Sequence, residues 1–348
     1  MSLIGLFLVS MAAVGYETAL IRYFAVSKWS EYGYWVISIV MVGFALSGVV
    51  LALFREAAGR MGATILTWLP PLLIATAAIG FHLTRINPFN PLQLQNAATW
   101  QSQIWLIAGY YAALLPFFFL TGVYVSLSFV LGARRIGLVY GFDLAGAAAG
   151  AAGVLMLLYV LHPFDLVPAL LAPLALAALC GKSHGKRAAM AAMAVSLLGA
   201  EVLLLEGGRA EINDFKAIYA PSHTPDAKAV VEIRSPRGIY VVLDSFAERL
   251  DTDISNNAGM MGVDGPPRAF GLYRDGNRIA ALPMPGKIEA GYADAALSAL
   301  PYKLIPDARV LLVGSSGGFR IAEARALGAS QVRALEPEPV LGDALARG

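Results

Sequence analysis

Charge and cysteine are what this chain has least of. Only 14% of its 348 residues are charged, against roughly 25% in an average soluble domain. The single cysteine, Cys180, excludes a disulfide framework and a cysteine-based metal site, so no metal is expected. Residues 206–348 carry 18 of the 24 acidic and 16 of the 26 basic residues. Without a basic excess there is no electrostatic footprint for nucleic acid. The N-terminus has no basic leader, and Glu17 and Arg22 stand where a cleavage site needs small neutral residues. A cleaved signal peptide is therefore not expected.

What is abundant is apolar sequence, at 57% of the chain. A hydrocarbon core takes about 20 apolar residues per helix. Seven stretches qualify: 3–25, 33–54, 63–82, 104–131, 138–160, 164–180 and 188–205, the fourth kinked at Pro116. The pattern predicts an α-helical polytopic membrane domain over 1–205, with the lipid bilayer as its first partner. The sequence 83–101, rich in Pro, Asn and Gln, reads as an excursion out of the membrane. Arg55, Arg60, Arg134, Arg135, Lys182, Lys186 and Arg187 fall in loops of one face, and Arg22, Lys28 and Arg85 in those of the other. The positive-inside rule then places the N-terminus in the cytoplasm of an inner (plasma) membrane. Seven crossings would put the C-terminal region on the periplasmic side.

Glu17, Arg22, Asp143 and Glu201 lie inside or at the edge of these stretches. Ionisable groups in lipid are costly and mark candidate functional positions. Arg22 is close enough to its helix end to snorkel. Gly146, Gly150 and Gly153 form a small-residue face, which predicts close helix packing rather than a ligand site. The stretches lack the matched, Gly/Pro-broken helices usual in secondary transporters, so small-solute transport rests on the four charges alone.

From 206 onward the character changes. Residues 229–245 alternate around Pro236-Arg237-Gly238, a hairpin signal. Asp275-Gly276 is a second tight turn. Residues 250–268 read as loop and 290–304 as a helix. Arg309–Val313 then reads as a buried strand, 314–318 as a glycine turn, 319–327 as a helix, and Gln331–Leu335 as a strand ending at Glu336. Strand, glycine turn, helix, strand and acid are the first βαβ step of a nucleoside-binding sheet. The glycines admit the ligand to the backbone and the acid accepts ribose hydroxyls. The turn is not G-x-G-x-x-G, which favours an adenosyl sulfonium over a dinucleotide. The region therefore divides into a β-rich part, 206–304, and the start of a Rossmann-like (class I methyltransferase-like) sheet, 305–348, with fewer strands than a complete doubly wound domain.

In these residues the chain resembles the membrane-bound spermidine synthase-like family, bacterial proteins that join a multi-helix membrane domain to an aminopropyltransferase-like domain. The resemblance runs through Tyr16-Glu17 to Arg22, Trp35 to Gly48, Tyr140 to Gly146, Asp214 to Ala217, Leu272 to Gly276, and Tyr292 to Tyr302 leading into Gly314. It implies aminopropyl transfer from decarboxylated S-adenosylmethionine to a polyamine, releasing methylthioadenosine, in a domain facing the cytoplasm. It implies that Glu336 holds the ribose, that Gly314, Ser316 and Gly318 line the adenosyl turn, and that Tyr292, with Asp294, belongs to the substrate entrance. The family's pattern has an acid where Gly317 stands, a glycine at Ser316, and a His or Gln at Ala293. Its catalytic aspartate lies in a segment that would follow Gly348. Two readings stand side by side: a membrane-anchored transferase, or a non-catalytic accessory subunit that scaffolds other membrane proteins.

Overall fold

The structure is a computed structural model, and it describes residues 2–180, 185–206, 212–254, 258–263, 265–286 and 288–346. The chain forms two compact units, Met1–Glu211 and Ile212–Gly348.

The first unit is helical: α1 (Leu3–Ser27), α2 (Tyr32–Leu53), α3 (Arg55–Ile86), α4 (Trp100–Leu131), α5 (Ile136–Leu157), α6 (Leu166–Leu179) and α7 (Lys186–Glu206). Six of these are long and apolar enough to cross a membrane. The exception is α6, which with its 3-10 lead-in spans only Pro163–Leu179. Its shortness has a cause in the sequence, because Pro163 sets the start and Cys180 ends the last turn. Both α3 and α4 extend beyond their apolar stretches, and α4 continues through Pro116. Proline inside such a helix is tolerated where neighbouring helices, Ser/Thr side chains or local backbone adjustment satisfy the carbonyl it frees.

α1 is the hub. Ser2 caps its N-terminus by accepting from the Gly5 amide at 3.2 Å. Its Leu6, Val9, Tyr16, Ala19 and Leu20 are almost wholly buried. Tyr16 donates to the Ala77 carbonyl of α3 at 2.9 Å and packs its ring 4.4 Å from that of Phe117 on α4. The glycine face of α5 lies directly on α1. A Cβ on Gly146 would fall 2.3 Å from the Phe7 carbonyl oxygen, and one on Gly150 2.2 Å from that of Met11. Both are far inside contact distance, so only glycine permits this approach. Gly153 is different, its nearest neighbour being the tip of Met11 at 3.9 Å.

The second unit begins, after the short α8 (Tyr219–Ser222), with a four-stranded antiparallel sheet. Its strands are β1 (Lys228–Ser235), β2 (Gly238–Asp244), β3 (Ala269–Arg274) and β4 (Asn277–Pro283), in that order. Both turns fall where the sequence signals them. Ser235 pairs with Gly238 across Pro236-Arg237, and Arg274 with Asn277 across Asp275-Gly276. Asp275 and Gly276 have φ of 50° and 75°, the two positive angles of a type I′ hairpin. Asp275 also accepts from the Ile239 amide at 2.9 Å, and buried Lys216 donates to its carbonyl at 2.7 Å.

Residues 290–304 do not form one helix. Two 3-10 turns, Gly291–Ala295 and Leu297–Ala299, precede the short α9 (Leu300–Leu304). The break is at Ala296, which is extended (ψ 147°), and Pro301 then opens α9, where its missing N–H costs nothing. Beyond it come β5 (Arg309–Val313), α10 (Phe319–Ala326), β6 (Gln331–Leu335) and α11 (Pro339–Ala346), with β5 and β6 parallel. The expectation that β5 is buried is not met. Leu311 and Val313 are 62% and 76% exposed, and Leu335 on β6 is 58% exposed. Among the described residues this sheet has two strands, and its burial alternates along β5, leaving one face open; a parallel sheet is buried only where helices lie on both faces.

Candidate functional site

The register of the parallel pair builds the site. Val313 lies opposite Leu335, and the Gly314 amide continues the ladder by donating to the Leu335 carbonyl at 2.8 Å. The residue that follows β6 is Glu336, so its carboxylate meets the glycine turn at the carboxyl ends of both strands. Ligands of α/β sheets bind at these ends. One Glu336 oxygen accepts from the Ser315 amide (3.2 Å) and the Ser315 hydroxyl (2.9 Å), and the other from the Glu338 amide at 3.3 Å. Ser315 is 2% exposed.

The turn is bent by positive φ at Gly314 (87°), Ser316 (46°), Gly317 (64°) and Gly318 (104°). Ser316 is the one non-glycine residue among them. Gly314 needs glycine for its angle alone, because no atom lies within 4 Å of where its Cβ would be. Gly317 also needs it for space: a Cβ there would meet the Ala281 carbonyl and Leu282 at 2.8 Å. The acid that the family pattern has at this position would collide with β4. The turn can thus cradle a ligand over Gly314 but cannot carry a carboxylate at 317.

A cavity of about 490 Å³ opens over this turn, lined by Gly314, Ser316 and Glu336 on one side and by Arg274, Ile279 and Ala280 of the antiparallel sheet on the other. Small-ligand pockets span roughly 300–1,000 Å³. Arg320 and Glu338 also line it. Glu338 ties the two sides together, accepting from Tyr240 at 2.5 Å and pairing with Arg274 at 2.6 Å. Burial, and then the hydrogen bond to Glu338, push the Tyr240 phenol up to about 12.

Tyr292 and Asp294 lie elsewhere. They border a wider cavity of about 1380 Å³ beside α10. Tyr292 is 3% exposed and donates to Glu323 of α10 at 2.8 Å, and Arg320 pairs with the other Glu323 oxygen at 2.8 Å. Its phenol is raised by burial and then by Glu323. Asp294 is exposed and pairs with Lys303 at 3.0 Å. The four charges of the helical unit are also dispersed. Glu17 and Arg22 are half-buried on α1, and Asp143 of α5 accepts from Ser10 of α1 at 2.5 Å. Glu201 of α7 is exposed.

Sequence reasoning missed Ser315, Tyr240, Arg274, Arg320 and Glu338. Ser315 had a signal, being the one donor-bearing side chain directly after the first glycine of the turn. Arg274 and Glu338 are 64 positions apart and had none. Among the described residues no three His, Cys, Asp or Glu side chains group as a metal site. No family model, characterised protein or solved structure matches this chain.

Proposed function

We propose that the chain is a multi-pass membrane protein with seven crossing helices, whose C-terminal unit begins a Rossmann-like sheet and binds an adenosyl nucleoside. The observation that carries this reading is the Glu336 carboxylate held over the 314–318 turn at the mouth of the 490 Å³ cavity. Gly314 leaves the backbone open to the ligand, and Glu336 accepts hydrogen bonds from the ribose hydroxyls.

The resemblance to the spermidine synthase-like family names decarboxylated S-adenosylmethionine or methylthioadenosine as the ligand, and aminopropyl transfer as the reaction. In that reaction a diamine nitrogen attacks the carbon beside the sulfonium, the carbon–sulfur bond breaks, methylthioadenosine leaves, and the nitrogen gives up a proton. The chain's part is to fix the donor's ribose and adenine, because orientation supplies much of such a rate. Seven crossings from a cytoplasmic N-terminus leave the C-terminal unit on the periplasmic side, whereas the resemblance implies a cytoplasmic domain; this supports a second reading, as does one contact. Glu338, the other acid in the cleft, is tied to Arg274 and Tyr240, so an amine would have to compete with a guanidinium for it. That favours an accessory subunit which binds a nucleoside without transferring a group.

Both readings require nucleoside binding. Titrating the detergent-solubilised full chain with methylthioadenosine is expected to give saturable heat. Glu336→Gln is expected to weaken binding by about 1–3 kcal/mol, the scale of a hydrogen bond to a charged group. A chain that binds no adenosyl nucleoside would rule the proposal out. Release of methylthioadenosine in the presence of a diamine would select the transferase.

A further inference from the structure

At one end of the helical unit a cavity of about 460 Å³ lies between α3, α6 and α7. Three charged side chains line it: Arg85 near the C-terminus of α3, Asp165 at the N-terminus of α6, and Glu201 near the C-terminus of α7. Its walls are apolar, with Phe164, Leu197 and Leu204 among them. Helix ends are where a charge on a membrane helix reaches the headgroup layer, and the long arginine stem can follow the apolar wall to it. The Arg85 guanidinium donates to the Leu204 carbonyl at 3.3 Å and sits 5.9 Å from the Phe81 ring centre, which holds it at the rim. Asp165 is the N-cap residue of α6, yet its side chain makes no capping hydrogen bond. Its carboxylate is not spent on its own helix.

A cation beside two acids, over an apolar slot between candidate membrane helices, is complementary to a headgroup that carries both signs. We propose that this cavity seats a phospholipid with a primary-amine head, its phosphate on Arg85 and its ammonium on Asp165 and Glu201. Arginine pairs with phosphate through paired N–H donors. A primary ammonium offers three donors to carboxylates, where a trimethylammonium offers none and a glycerol head brings no cation. The acyl chains follow Phe164, Leu197 and Leu204. This inference rests on the reading of α3, α6 and α7 as membrane helices.

The test is native mass spectrometry of the delipidated full chain in detergent, exposed in turn to phosphatidylethanolamine, phosphatidylcholine and phosphatidylglycerol. The wild type is expected to retain the ethanolamine lipid about tenfold better than either other, the ratio of one charged hydrogen bond. Arg85→Gln is expected to lower retention of all three. Asp165→Asn with Glu201→Gln is expected to bring the ethanolamine lipid down to the choline level. Equal retention of the three lipids by the wild type would overturn the proposal, as would an ethanolamine preference that survives the double variant. Should Arg85→Gln fail to fold, the wild-type lipid series and the double variant decide. If the chain proves soluble without detergent, what fails is the membrane reading itself.

Discussion

Glu323 is 5% exposed, and its charge is made tolerable by two donors, Tyr292 and Arg320. Removing one donor leaves a buried carboxylate oxygen short of a partner. Tyr292→Phe is therefore expected to destabilise the C-terminal unit by about 1–3 kcal/mol, read from denaturant midpoints of the full chain. A change indistinguishable from zero would mean that water replaces the phenol. Tyr240 makes a pH prediction. Its phenol ordinarily ionises near 10, and in the fold it is raised to about 12. The folded state thus holds this proton more tightly than the unfolded chain. The stabilisation is fully present below about pH 10 and is lost as pH rises through about 12. Alkaline unfolding of Tyr240→Phe should be less steep over that window. Equal slopes for the variant and the wild type would refute the assignment.

Among elements, the α1–α5 contact gives the sharpest contrast. Gly150→Val must push a side chain against a backbone carbonyl, and overpacking of this kind costs about 1–3 kcal/mol or more. Gly153→Ala meets only the end of a flexible methionine and should be close to neutral. Thermal melting in detergent separates the two, and equal midpoints would contradict the packing. This contact was legible in the sequence because small residues four apart share a helix face. The hairpin turns were legible because Asp-Gly and Pro-Arg-Gly carry local backbone preferences. The run 290–304 misled, since its alanines and leucines favour helix while Ala296 takes an extended angle fixed by packing. The strand β5 misled too: its apolar composition reads as buried, but burial depends on whether helices cover both faces of the sheet, and one face of β5 is open.

For the whole molecule, the two units have different sources of order, a lipid-length helical bundle and a mixed sheet region. The number of crossings is the property that local pattern decides least well, because it depends on one short helix. If α6 crosses, reporters fused before Met1 and after Gly348 fall on opposite sides of the membrane. The account expects opposite sides, and reporters on the same side would return α6 to an embedded, non-crossing helix. Of the candidate site, the turn and its acid were legible from spacing alone. The wall opposite, Arg274 with Tyr240 and Glu338, comes from residues far apart in sequence that no periodicity connects. The measurement that bears most directly on the account is a structure of the full chain with methylthioadenosine. The account predicts the nucleoside over Gly314, with both ribose hydroxyls within hydrogen-bond reach of the Glu336 carboxylate. A nucleoside bound elsewhere, with Glu336 still held by Ser315 and the Glu338 amide, would contradict it.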